Sequence, residues 1–220
     1  MQRVCDIALS GMALLALAPV LVPIMIILRF TGEREVFYIQ QRVGLNGEHF
    51  GLFKFATMLK ESPNIGAGEI TVKNDPRILP FGQFLRKTKL NELPQLLNIL
   101  KGDISIVGPR PMVPSTFEHY DPEARRELCT VRPGLTGAGS IVFRDEERHL
   151  DDRDDPARFY REVIIPYKTA LEQWYVRNQS LRLYWLLIII TAWVVLRPDS
   201  PIFWRAFPDA PRPPAELAIA

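Results

Sequence analysis

The sequence has little of what several kinds of chemistry require. It holds two cysteines, Cys5 and Cys129, far apart in 220 residues. Two thiols make no disulfide framework, so a reducing compartment is expected. Its three histidines, His49, His119 and His149, stand in no acid–base spacing and no Cys/His metal spacing, and we assign them no chemistry. Net charge is only +2, too small for a nucleic-acid footprint, so no nucleic-acid partner is expected. Internal repeats are also absent.

Charge is missing altogether from two stretches. Ile7 to Leu28 runs 22 residues without a charged side chain, and about 20 suffice to cross a bilayer. Three readings compete. A signal peptide would use Ala16-Leu17-Ala18 as its cleavage site, but Pro19 follows and the apolar run continues well beyond it. A simple transmembrane helix is the second reading. The third is a re-entrant hairpin, and Pro19 and Pro23 favour it. Each lacks an N–H and clashes with the carbonyl four residues back. The arm before Pro19 is about 12 residues, or roughly 18 Å of helix, against a hydrocarbon core of roughly 30 Å. Arg3 and Arg29 flank the run, which suits both ends lying on the cytoplasmic side. The second stretch, Leu183 to Leu196 between Arg182 and Arg197, is short for a span. With Trp185, Trp193 and Trp204 it suits a helix at the membrane interface; a buried core helix is the alternative. From Pro208 onward the chain is proline-rich and is expected to be disordered.

What is present lies between these runs. Glu35 to Leu59 reads as β-rich, with a turn at Gly44 to Gly47, and Asn74-Asp75-Pro76-Arg77 as a turn. Phe81 to Lys87 looks helical. A second helix ends near Leu100 and, because proline is tolerated only in a first turn, Pro94 puts its start close to Asn91. Asn91 and Glu92 would then sit at a helix N-terminus, where phosphate is attracted. A short strand, Ile104 to Val107, leads into Gly108-Pro109-Arg110-Pro111. The prolines there should hold Arg110 in a set direction, and Arg132-Pro133-Gly134 repeats the device. Arg86, Arg110 and Arg132, each beside a structural stop, are what an anion clamp would need, and Glu92 offers a carboxylate. The acid-rich stretch Asp145 to Asp155 reads as a solvated loop rather than a metal site. A helix follows Ile165-Pro166-Tyr167-Lys168 and ends near Arg177; Glu172 lies on it, and sequence alone does not say whether it reaches the site.

The chain resembles the bacterial sugar transferase family, the small monotopic phosphoglycosyl transferases. The residues that carry the resemblance are Asp6 with the central proline of the first apolar run, Gln41-Arg42-Val43-Gly44, Phe53-Lys54-Phe55, Asp75-Pro76-Arg77, the long stretch Leu85 to Pro111, and Arg132-Pro133-Gly134-Leu135-Thr136-Gly137. The resemblance implies an α/β fold, mostly helical with a small β element, in a monotopic membrane-attached domain. Its parts would be a re-entrant helix-break-helix at residues 1–30, a cytoplasmic catalytic domain at 31–180, an interfacial helix at 181–207 and a disordered tail at 208–220. It implies transfer of sugar 1-phosphate from a nucleotide-diphosphate sugar, usually a UDP-sugar, to polyprenyl (undecaprenyl) phosphate, with Mg²⁺, at the bacterial inner membrane. Membrane lipid is a further partner, and self-association is left open. Such a transfer is the first membrane step in assembling exopolysaccharide, capsule or O-antigen.

Carried over by motif, Glu92 and Asn91 are the catalytic positions, with Glu92 supporting the metal. Arg86, Arg110, Arg132 and Arg144 are the phosphate- or substrate-binding positions, framed by Pro109 and Pro111. Pro19 and Pro23 break the membrane helix. In the family an Asp stands where this chain has Asn91, and that Asp is the nucleophile. One branch of the family carries Asn-Glu here, with a stretch similar to Arg144-Asp145-Glu146, so Asn91 is not read as damage. A carboxamide is a poor nucleophile and a weak Mg²⁺ ligand. Three outcomes stay open: Glu92 takes over, the phosphoryl group passes directly from donor to lipid, or the protein is an inactive scaffold. A basic position that the family has after Lys54-Phe55 is Ala56 here.

Overall fold

We describe the fold from a computed structural model, which describes residues 1–65, 75–144, 155–198 and 200–217. The acid-rich stretch at 145–154, His149 and Asn74 lie outside the described residues. The chain falls into two compact units. One is Asp6–Gln41 with Gly51–Lys101; the other is Met1–Cys5, Arg42–Phe50 and Gly102–Ala220.

The first unit begins in helix α1, Gln2–Phe30, whose first residues belong to the other unit. The helix runs through Pro19 and Pro23 without interruption, so the expected helix-break-helix is absent as a break in secondary structure. A proline removes one N–H and displaces one carbonyl. The bonds of the flanking turns carry the helix past it, and the effect is a local weakness rather than an end. Helix α1 is long and apolar enough to cross a membrane. Val4, Ile7, Met12, Leu15, Val22 and Ile26 are exposed along it. Leu21, Ile24 and Leu28, spaced three and four apart, form its buried stripe and pack in a cluster with Phe55 and Leu85.

Strands β1, Phe37–Val43, and β2, His49–Phe55, pair as a two-stranded sheet around the Gly44 to Gly47 turn, as the sequence suggests. Helix α2, Pro80–Lys87, opens with its proline at the first position, where no N–H is needed. Helix α3, Gln95–Lys101, is stitched to β2 by a buried side chain. Asn98 Nδ2 donates to Gly51 O (2.8 Å), and Asn98 Oδ1 accepts from Phe53 N–H (2.9 Å). The Asp75–Arg77 turn is a buried ion pair. Arg77 donates through Nε and Nη2 to the Asp75 carboxylate at 2.8 and 2.6 Å, and through Nη1 to the carbonyls of Ser62 and Ile65. Arg77 therefore spends its fork on holding a loop closed.

In the second unit, β3 (Ser105–Val107) and β4 (Gly134–Thr136) pair in parallel, Ser105 opposite Gly134 and Val107 opposite Thr136. Between them run the short helices α4, Pro114–Phe117, and α5, Pro122–Leu128; Asp121 caps the second by accepting from Glu123 N–H at 2.8 Å. After β4 come α6 (Ala138–Val142), α7 (Pro156–Phe159), a π turn at Tyr160–Ile164 and α8 (Ile165–Arg177). Ile165 to Lys168 thus open α8 rather than precede it. Helix α9, Leu181–Leu196, is apolar all round and uses two faces. Leu183, Tyr184, Leu187, Ile190 and Val194 are buried in one core with Ile164, Leu171 and Tyr175. Trp185, Ile189, Trp193 and Leu196 are exposed. Core helix and surface-seeking helix, posed above as alternatives, are two sides of the same element.

Helix α10, Ile202–Ala206, follows. The tail expected to be disordered packs instead, through Leu217. Tyr167 O–H donates to Pro211 O (3.0 Å), Trp174 Nε1 to Asp209 Oδ2 (3.0 Å), the Arg212 guanidinium lies over the Trp204 ring, and Ala210 and Leu217 are buried. Proline content lowers the cost of ordering a segment, and aromatic side chains on α8 and α10 supply its partners.

Candidate active site

The site residues read from the sequence divide between the two units. Arg86, Asn91 and Glu92 lie in the first; Arg110, Arg132 and Arg144 lie in the second.

In the first unit, Leu85 is fully buried and fixes the last turn of α2, from which half-buried Arg86 projects. Its Nη1 is 3.7 Å from Met58 Sδ. Lys89 then takes a left-handed conformation, φ 58°, which ends the helix sharply. Leu90–Glu92 forms a separate 3₁₀ turn. Here the structure corrects the expectation of a phosphate-ready helix start. Helix α3 begins only at Gln95, past Pro94. The N–H groups of Glu92 and Leu93 are already spent on the carbonyls of Lys89 and Leu90, both at 3.2 Å. What the turn presents is side chains. Asn91 is 8% exposed and its Oδ1 is buried with no hydrogen-bond partner. Glu92 beside it is half-buried. A buried acceptor left unpaired costs free energy unless something outside the chain satisfies it.

In the second unit, the Gly-Pro-Arg-Pro segment is pinned through one backbone group of each of its four residues. Gly108 N–H donates to Thr136 O (2.9 Å), and Pro109 O accepts from Gly134 N–H (2.7 Å). Arg110 N–H donates to Glu172 Oε1 (3.1 Å) and Pro111 O accepts from Arg42 Nη1 (2.9 Å). The set direction expected for Arg110 follows from these bonds together with the flanking prolines. The second glycine motif fits against the first. A Cβ on Gly137 would lie 2.2 Å from Gly108 O, so the loops approach too closely for any side chain there. Arg110 lines a shallow open cleft whose other walls include Val43, Met112, Tyr120, Cys129 and Glu172.

The remaining arginines are held differently. Arg132 is exposed, and its Nε donates to Gly102 O at 2.9 Å. Arg144 donates through Nη1 to Val194 O, one of the carbonyls left open in the last turn of α9, and so caps that helix. Glu172, left undecided by the sequence, faces inward. It is 3% exposed, and burial pushes its carboxyl up to about 7, against the pull of the N–H groups of Arg110 and Gly139 and the charges of Lys168 and Arg110. Asn98 and the Asp75–Arg77 pair, which hold the first unit's site in place, gave no local signal beyond a polar residue in an apolar stretch and a turn.

A magnesium ion, implied by the resemblance, takes oxygen ligands. Asn91 Oδ1, buried and unpaired, next to the Glu92 carboxylate is a donor set of that kind. Among the described residues no three His, Cys, Asp or Glu gather to hold a metal by themselves. Such an ion would therefore depend on substrate phosphates and water for its other ligands.

A helical and membrane-compatible chain, with fixed arginines and a carboxylate turn, defines a class of protein that handles anionic, phosphate-bearing substrates. Residues 1–198 match the model of the bacterial sugar transferase family, and the chain belongs to that family. It is 37% identical over 194 residues to the exopolysaccharide production protein ExoY of Rhizobium meliloti (strain 1021), covering 82% of this chain and 78% of that one. It is 35% identical over 217 residues to the undecaprenyl-phosphate galactose phosphotransferase of Salmonella typhimurium (strain LT2), covering 91% of this chain and 41% of that one. It is also 35% identical over 167 residues to the UDP-glucose:undecaprenyl-phosphate glucose-1-phosphate transferase of Escherichia coli (strain K12), covering 74% of this chain and 36% of that one. The chain thus spans most of ExoY's length but well under half of the two longer enzymes.

Proposed function

We propose that the protein transfers a sugar 1-phosphate from a UDP-sugar to polyprenyl phosphate, releasing UMP and leaving a polyprenyl-diphosphate sugar. The observation that carries this reading is the Leu90–Glu92 turn, where a carboxylate residue follows a buried, unpaired amide oxygen, in a chain of the sugar transferase family whose Arg110 backbone N–H is held by Glu172. The named activities of the Salmonella and E. coli relatives supply the substrate class.

The chemistry asked of the residues is modest. Phosphoryl transfer needs positioning and charge compensation more than covalent assistance. A phosphate oxygen of the lipid forms a new bond to the sugar-bearing phosphorus, the bond from that phosphorus to the bridging oxygen breaks, and UMP leaves with the bonding pair. Mg²⁺ held by Glu92, Asn91 Oδ1 and the diphosphate would offset the charge on the phosphate oxygens. Arg86, Arg110 and Arg132 supply the fixed cations of the reading. Asn91 forms no acyl phosphate, since an amide is not a nucleophile of useful strength, so transfer is direct. The exposed apolar residues of α1 and α9 suit attachment to a bilayer, which in this reading is the inner membrane, with the transfer on its cytoplasmic side.

The test is incubation of the purified chain with several UDP-sugars, Mg²⁺ and polyprenyl phosphate, followed by measurement of UMP and of lipid-linked sugar. Lipid-dependent UMP release is expected. Label from the sugar phosphate trapped on the protein after an acid quench would replace direct transfer by a covalent step on Glu92. Absence of UMP with every donor would favour the second reading, a scaffold in a polysaccharide assembly complex, which the amide at Asn91 motivates.

A further inference from the structure

A carboxylate that is 3% exposed is expensive, and a well-packed apolar residue in its place would usually be as stable or more so. Stability alone therefore does not call for Glu172. Its surroundings do. Pro109 and Pro111 have no N–H, so Arg110 carries the only backbone donor between Gly108 and Met112, and that donor ends on Glu172 Oε1 at 3.1 Å. Gly139 N–H, at the start of α6, donates to the same carboxylate. A Cβ at Gly139 would sit 2.4 Å from Oε1, so the α6 backbone presses directly against it. Helix α8, which carries Glu172, is itself clamped to α5. Gln173 Nε2 donates to Glu127 Oε2 (2.7 Å), and Arg177 forks onto both Glu127 oxygens at 2.6 and 2.8 Å. The charged groups facing Glu172 are Lys168 from α8 and Arg110 from the loop.

We propose that Glu172 is a positioning residue for Arg110: its carboxylate holds the one backbone N–H of the Pro109-Arg110-Pro111 segment and thereby fixes where the guanidinium points. The bond joins residues 62 apart in sequence, so the aim of the loop is set by a helix far along the chain. This claim rests on the transferase reading, which gives Arg110 a phosphate to hold.

The test uses the full chain with three substitutions. Glu172→Ala deletes the acceptor, Glu172→Met deletes it while keeping the length and bulk, and Glu172→Gln keeps one carbonyl oxygen at the same reach. Two quantities are read. Hydrogen exchange isolated to Pro109–Pro111 by subtracting overlapping peptides reports the Arg110 amide, since the prolines contribute none. Donor KM and kcat report on substrate handling. Loss of one hydrogen bond that orients a binding group should speed exchange at Arg110 and raise donor KM by about tenfold in Glu172→Ala and Glu172→Met, with a smaller change in kcat. Glu172→Gln should recover most of both. Unchanged Arg110 exchange in the Met variant overturns the proposal, as does a Gln variant whose KM is as poor as the Met variant's. If Glu172→Ala fails to fold, the Met and Gln variants carry the test. If the parent chain turns over no donor, the transferase reading fails, and Arg110 exchange alone decides the positioning claim.

Discussion

Replacing Glu172 with glutamine should make the fold less sensitive to pH, with a sign and size that follow from the structure. The carboxyl titrates at about 7 in the fold, against an ordinary 4.5. That gap is worth about 3 kcal/mol. Below pH 4.5 both folded and unfolded chains hold the proton, and Glu172 costs nothing extra. Between 4.5 and 7 the unfolded chain gives up its proton first, so the fold loses stability as pH rises, and above 7 the full penalty applies. Glutamine does not titrate. Its extra N–H is as unpaired as the proton on neutral Glu172, whose Oε2 has no partner. The two proteins should therefore match below pH 4.5 and differ by less than about 1 kcal/mol at pH 5, and the variant should gain up to about 3 kcal/mol by pH 8. For a chain of this size that is a rise in thermal midpoint of roughly 6–12 °C. The assay is tryptophan fluorescence on heating, parent and variant side by side at pH 5 and pH 8. A difference between them that does not change with pH, or a variant that falls further behind at pH 8, would refute the assignment of a buried titrating carboxyl.

Three other outcomes are expected. Glu92→Gln should cut UMP release by about a hundredfold or more, while Asn91→Ala should cost less; equal losses in a steady-state assay would give Asn91 more than a positioning role. Gly137→Ala should lower the thermal midpoint and impair turnover together, because its Cβ would lie 2.2 Å from Gly108 O and the Arg110 loop must shift. Asn98→Ala leaves Phe53 N–H and Gly51 O without their side-chain partner and should cost roughly 2–5 kcal/mol in denaturant unfolding.

Local chemistry made much of the fold legible. Phe81 to Lys87 was legible as a helix, Gly44 to Gly47 marked a hairpin, and the proline-flanked arginine announced a rigid loop, because each of these effects acts within a few residues. What stayed hidden depended on partners far along the chain. Arg77 read as the end of a turn, and nothing local told that its fork closes on Asp75 and two carbonyls. Arg144 looked like a substrate contact, and it caps α9. Glu172 was one acid on a helix until α8 brought it to Arg110. The tail was misread because composition reports what a segment would do alone, whereas aromatic side chains on α8 and α10 give this one a place to pack. The candidate site was drawn from the sequence as a set of residues. Its local geometry was not, since a turn with spent N–H groups and a helix start with free ones have nearly the same sequence.

The continuity of α1 carries a consequence for the solvent around it. Because residues 19 and 23 lack N–H groups, the carbonyls of Leu15 and Pro19 have no donor four residues on. One turn apart, the two form a polar notch on a side of the helix that is otherwise hydrocarbon. In water the notch is filled at no cost. In lipid each open carbonyl costs several kcal/mol until the helix bends, a water enters or a headgroup reaches it. The shape of this helix is therefore set jointly by the chain and by whatever surrounds it, and the place where a bilayer would act on it is already written between Leu15 and Pro23.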